Sequence, residues 1–133
     1  MFDPINIPFG DKMLFNVVKL KKGVSIDAIE MAIGEMCNSV KNTYGNDEGG
    51  FIAGQVFKFS GFISEQGSLQ APNQIAKASE EHVAIITYWE SFERHEKSHA
   101  DATFNEKFSR LAEYCDDTYE IGYDMLWQGT PEP

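Results

Sequence analysis

The segment MLFNVVKL, residues 13–20, limits what this chain can fold into more than any other stretch. Alternate residues of a strand point to opposite faces, which places Met13, Phe15 and Val17 on one side and Leu14, Val18 and Leu20 on the other. Both sides are apolar. A strand of this kind must be covered from above and below, so a sheet with one solvated face does not satisfy it. The 133 residues include ten Phe, five Tyr and two Trp, enough apolar bulk for the core of one domain and too little length for two.

The remaining elements fall into order around that strand. Pro4, Pro8 and Gly10 mark residues 1–12 as an arm. After the KKGVS turn, Ser25 or Asp27 caps a helix in which Ile26, Ile29, Ile33, Met36, Cys37, Val40 and Tyr44 form one stripe of helical spacing. NDEGG breaks it, and FIAGQVFKFSGFI, residues 51–63, reads as the second strand. The polar stretch 64–81 is long for a hairpin connection and reads as a loop or lid. HVAIITYW, residues 82–89, is the third strand. Ser91 opens a second helical region, carried on by Phe104, Phe108, Leu111, Ala112 and Cys115. The fourth strand spans 118–129, with Tyr119, Ile121, Tyr123, Met125 and Trp127 on one face, and 130–133 is a tail.

The resulting order, β-α-β-β-α-β, predicts an α+β fold of the ferredoxin-like type, filling residues 13–129. In it a four-stranded antiparallel sheet carries both helices on one face. The other face is then bare, yet it holds rows of Phe and Tyr. A second copy packed sheet against sheet about a two-fold axis covers it, so the expected partner is an identical chain, a homodimer.

Charge narrows the other partners. Twenty-one acidic against eleven basic residues give −10, which repels phosphate backbones and anionic headgroups; neither nucleic acid nor a membrane is expected. No apolar run reaches the roughly 20 residues of a membrane span, and MFDPINIPFGD has no signal-peptide pattern. Cys37 and Cys115 each sit in a helical apolar pattern and read as buried reduced thiols. A cytoplasmic protein is expected.

One motif points elsewhere. His95-Glu96-Lys97-Ser98-His99 spells H-E-x-x-H, in which two His one helical turn apart ligate zinc beside a catalytic Glu. Such a zinc hydrolase also needs a third ligand and an apolar cleft. The neighbours Glu93, Arg94, Lys97 and Asp101 are charged, Ala102 stands where the extended motif has Gly, and nothing selects remote acids such as Glu106 or Asp117. A solvated helix face with a Glu93–Lys97 pair explains the letters more simply, so no metal is expected. His99, just before ADATF restarts the apolar stripe, sits at the inner edge of that helix.

Three short segments carry a resemblance to a family. NVVKLKKG resembles the first strand and Lys-Gly turn of the dimeric α/β-barrel superfamily, and in particular of its antibiotic-biosynthesis-monooxygenase domain. ITYWES resembles the end of the third strand in that domain, and TYEIGY its last strand in the haem-degrading branch. The resemblance implies a homodimer with a small apolar cavity between sheet and helices in each protomer. Members oxidise aromatic polyketides or quinols without a cofactor, degrade haem, or bind ligands. The haem-degrading branch uses an Asn, a Trp and a His; Asn16 matches the first, but Ser98 and Phe108 stand at the other two positions. Without the His there is no proximal iron ligand.

The resemblance therefore implies a cofactor-independent monooxygenase acting on a small aromatic or quinol substrate. His99 would be the base, Asn16 the hydrogen-bond partner, and Trp89, Tyr88, Phe59 and Tyr123 the walls. With one base and no acid partner in view, the alternative is a non-catalytic dimeric barrel of the stress-response type that binds a small apolar ligand.

Overall fold

Residues Lys12–Leu20 form β1, and this strand has a partner on each side. The computed structural model describes residues 4–45, 49–61, 63, 81–99 and 101–133. After β1 come α1 (Ile26–Tyr44), β2 (Phe51–Lys58), β3 (His82–Trp89), α2 (Phe92–Ser98), α3 (Ala102–Ala112) and β4 (Cys115–Asp124). The sheet runs β2-β3-β1-β4 with every neighbouring pair antiparallel. This is the ferredoxin-like arrangement, with the second helical region in two pieces.

The turn from β1 to α1 depends on Gly23, whose φ of 86° lies where a side chain is strained. Val24 N–H then donates to Lys21 O at 3.0 Å, and Ser25 stands at the N-cap of α1. Every fourth or third residue of α1 is buried: Ile29, Ile33, Met36 and Val40. The first three close on Val18 and Leu20 of β1, Val83 and Ile85 of β3 and Leu111 of α3, and Val40 closes on Leu14 of β1 and Trp89 of β3. Each such aliphatic side chain contributes about 1.5–3 kcal/mol when removed from water, so this one stripe fixes α1 on the sheet.

Register sorts the strand residues. Leu14, Asn16 and Val18 of β1 share the helix-covered face with Val83, Ile85, Thr87 and Trp89 of β3 and with Thr118, Glu120 and Gly122 of β4. The uncovered face holds Met13, Phe15 and Val17, then Ala84, Ile86 and Tyr88, then Tyr119, Ile121 and Tyr123. Tyr119, Ile121, Tyr123 and Phe57 are all exposed there. Phe15 meets Tyr123 edge to face at 6.3 Å.

Element ends differ from the sequence expectation for a simple reason: a strand lasts only as long as its partner. β2 stops at Lys58, short of residue 63, because β3 begins at His82 and offers one further bond, Phe59 N–H to His82 O. β4 starts at Cys115, three residues earlier than expected, because Leu20 pairs with Cys115 across a register shift. It ends at Asp124, not at 129, because Lys12 is the last paired residue of β1. Asp116 and Asp117 did not break the strand, since both are exposed on a sheet edge. The expected loop lies, but for its last residue Glu81, outside the described residues.

Both cysteines are free thiols, and both are half-buried where full burial was expected. Burial pushes the Cys37 thiol up to about 11. At pH 8 such a thiol is about 0.1% thiolate, against about a tenth for the same thiol unburied. Native Cys37 is expected to alkylate with iodoacetamide roughly a hundred times more slowly than the unfolded chain, read by mass spectrometry of the Cys37 peptide. Among the described residues, no helix is long and apolar enough to cross a membrane.

Candidate functional site

The chemistry gathers where α2 lies over the edge strand β4. Ser91 caps α2, its hydroxyl accepting from Arg94 N–H at 3.2 Å. In a helix of seven residues, His95 and Ser98 are one turn apart and both face inward. His95 is 4% exposed, edge-on to Trp89 at 5.2 Å between ring centroids. This corrects the reading of the motif as a solvated face: Glu93 and Lys97 are solvated, but the first histidine is in the core.

His99 closes α2 as its C-cap and stays 41% exposed. Its ring lies parallel to Phe104 at 5.7 Å and edge-on to His95 at 4.6 Å. Phe104 is held there because Asp101 starts α3, its Oδ1 accepting from Phe104 N–H at 2.9 Å. That bond holds the Asp101 carboxyl below the usual carboxylate range; its partial desolvation opposes this, and a hydrogen bond from Tyr44 adds to it.

Both imidazoles converge on one carboxylate that the sequence reading did not select. Glu120 Oε2 lies 3.1 Å from His95 Nε2, and its Oε1 lies 3.5 Å from His99 Nε2. On the outer side Glu96 approaches the other nitrogens, with Oε1 at 3.3 Å from His95 Nδ1 and Oε2 at 3.9 Å from His99 Nδ1. The 3.3 Å approach lacks hydrogen-bond geometry, so the buried His95 Nδ1 has no hydrogen-bond partner. The acids considered from sequence are elsewhere: Glu106 pairs with Arg110 at 2.8 Å, and Asp117 is an exposed residue opposite Lys19.

Glu120 had a legible signal. With Tyr119, Ile121 and Tyr123 forming the apolar row of β4, the intervening Thr118, Glu120 and Gly122 had to face the helices. A carboxylate under a helix pair needs partners, and the two histidines supply them. Gly122 leaves room for the Phe92 ring to lie over the same strand, within 2.7 Å of where a β-carbon would stand.

The other expected site residues divide between two faces. Asn16 lies beside Glu120 on the covered face, its Nδ2 donating to Ile85 O at 3.1 Å. Trp89 is on that face too, but at 1% exposure it supports His95 from within the core and is no open wall. Tyr88 and Tyr123 point from the uncovered face, and Phe59 lies against His82 of that face at 4.8 Å. Those three cannot line one void with His99 and Asn16, because the sheet lies between them. Two cavities, of about 360 and 270 Å³, open at the far end of the sheet, and neither is lined by His99 or Asn16.

The fold and this cluster define an α+β protein of ferredoxin-like architecture with a histidine–carboxylate site between sheet and helices. No family model and no curated protein matches the sequence. Solved structures do match. The hydroxynitrile lyase of Passiflora edulis superposes with a TM-score of 0.61 at 10% identity, over 92% of this chain and 100% of that one. A dimeric ferredoxin-like protein of unknown function from Thermobifida fusca gives 0.60 at 11%, over 92% and 100%. SnoaB, a cofactor-independent oxygenase from Streptomyces nogalater, gives 0.58 at 12%, over 92% and 99%. At these identities the likeness is one of fold alone.

Proposed function

We propose that this protein is a homodimeric, cofactor-independent monooxygenase that removes a proton from a small hydroxylated aromatic and lets oxygen oxidise the resulting anion. One observation carries the reading: His99 is open to solvent, stacked on Phe104, and backed by Glu120 at 3.5 Å. The carboxylate backs the ring at Nε2, and Nδ1, with Glu96 Oε2 at 3.9 Å and beyond hydrogen-bond reach, is the nitrogen that would accept a proton as a general base. Glu120 is the acid partner that the sequence reading lacked. Asn16, beside it on β1, would hold the substrate oxygen.

Two of the fold neighbours are enzymes by name, a hydroxynitrile lyase and a cofactor-independent oxygenase, and the second name is that of the reaction class proposed here. For an anthrone-type phenol the balance is closed without a cofactor. The ring methylene loses two hydrogens and gains one oxygen atom as a carbonyl, the second oxygen atom leaves as water, and four electrons pass from substrate to O₂. Oxygen uptake with 1,8-dihydroxyanthrone is expected for the wild type and should fall to the uncatalysed rate in His99→Ala. Equal uptake by the two proteins would end this reading.

The second reading, a non-catalytic dimer that binds a small apolar ligand, is favoured by a different feature. The cavity of about 270 Å³ has Ile26, Ile33, Val56 and Val83 on its walls with Asp27, Glu30 and Lys58 among them, away from any histidine. A binder of this kind would melt at a higher temperature with its ligand and consume no oxygen.

A further inference from the structure

We propose that His95, His99 and Glu120 form a binding site for one zinc ion, with Glu96 holding the outer nitrogens of the two imidazoles. The site arises from tertiary folding and not from the helical motif alone, since the third ligand comes from β4, twenty-one residues after His99. One ligand atom from each of His95, Glu96, His99 and Glu120 can be chosen so that all lie within 4.8 Å of one another.

Distances identify the geometry. Zinc binds imidazole nitrogen and carboxylate oxygen at about 2.0–2.2 Å, so two ligand atoms on a tetrahedron stand about 3.3–3.5 Å apart. The two imidazoles meet opposite oxygens of one carboxylate, His95 Nε2 at 3.1 Å from Glu120 Oε2 and His99 Nε2 at 3.5 Å from Glu120 Oε1. Both separations are of the size that two ligands of one ion have, with Glu120 reaching it through one or both of its oxygens. Burial supports the same conclusion. His95 is 4% exposed, and its buried Nδ1 has no hydrogen-bond partner. A metal-bound imidazole donates from its second nitrogen to an outer carboxylate, and Glu96 Oε1, 3.3 Å from that atom but out of hydrogen-bond alignment, would have to turn to accept from it.

Ligand chemistry selects the ion. Two imidazoles and one carboxylate suit zinc and its first-row neighbours, whereas magnesium and calcium take oxygen sets. Two neutral histidines, Glu120 and Glu96 together offset the charge of one divalent cation. His99 is 41% exposed, so the fourth position of the ion opens to solvent. Among the described residues this is the group of His, Cys, Asp and Glu side chains close enough to hold a metal.

Zinc and the base of the proposed oxygenase would compete for His99, so the test reads binding with no substrate present, and either reading can fail alone. Full-length protein dialysed against chelator is titrated with zinc chloride by calorimetry, in the presence of a thousandfold excess of magnesium. One zinc per chain is expected, with affinity reduced 10-fold or more in Glu120→Gln and in His99→Ala and unchanged in Glu106→Gln. Glu120 and His99 are partly exposed, and circular dichroism of each variant verifies that it is folded. Cobalt should give visible absorption bands of tetrahedral intensity in the wild type and lose them in Glu120→Gln. Failure of zinc to bind at micromolar concentration, or binding that both variants leave unchanged, would overturn the proposal.

Discussion

Trp89→Ala is expected to lower the unfolding free energy by about 3–5 kcal/mol, the usual cost of truncating a large buried aromatic. Small domains are held by only about 5–15 kcal/mol, so the variant should unfold at a much lower urea concentration with an unchanged slope. The reason lies in the position of the ring. Trp89 is 1% exposed and packs with Leu14 and Val40 of β1 and α1, flanked by Tyr44, Phe51 and Phe104. Phe51 meets it edge-on at 5.3 Å and Tyr44 at 6.1 Å. Its Nε1–H donates to Thr87 Oγ1 at 2.9 Å, two residues back on the same face of β3, so the indole is buried with its polar atom satisfied. Trp89→Phe keeps most of the apolar area and should cost less than half as much. The same truncation removes the edge contact that positions His95, so the cluster with Glu120 should loosen along with the core.

The element order was readable because each strand and helix shows its own period. α1 repeats its apolar residues at helical spacing, and β1 alternates on two apolar faces; no competing pattern obscures either. Face membership was readable too, but only if period two is applied strictly. Tyr88 and Trp89 are adjacent in β3, so they lie on opposite sides of the sheet and cannot line one cavity. Tyr123 belongs to the apolar row of β4 by the same rule. What local sequence cannot state is which residues meet. β2 looked longer than it is because FSGFI continues the apolar run, whereas its end is set by where β3 begins. The burial of His95 was hidden among charged neighbours, since in a helix of one or two turns only two or three positions face inward. Glu120 became visible as a site residue only when the antiparallel pairing of β1 with β4 placed it beside Asn16 and beneath α2.

Ile121→Arg is expected to convert the protein to a single-chain species at micromolar concentration without unfolding it. Ile121 is 42% exposed in the protomer and stands in one row with Phe15 and Ile86 across β4, β1 and β3. Among the described residues Ile121 keeps enough exposure for an arginine to reach solvent, so the melting temperature at low protein concentration should change little. In a face-to-face dimer the same position is enclosed by apolar side chains of both sheets. A guanidinium placed there without a carboxylate partner costs several kcal/mol, and the two-fold axis places a second one on the partner sheet. Dissociation should weaken the dimer by about two to three orders of magnitude, visible by sedimentation equilibrium. A variant that sediments as the wild type does would mean that the rows of Phe and Tyr on this face serve another purpose. The contrast with Trp89→Ala is the discriminating feature: one substitution should weaken the fold at any concentration, the other should only separate two folded copies, because in the proposed dimer the two faces of β1 are covered by different layers.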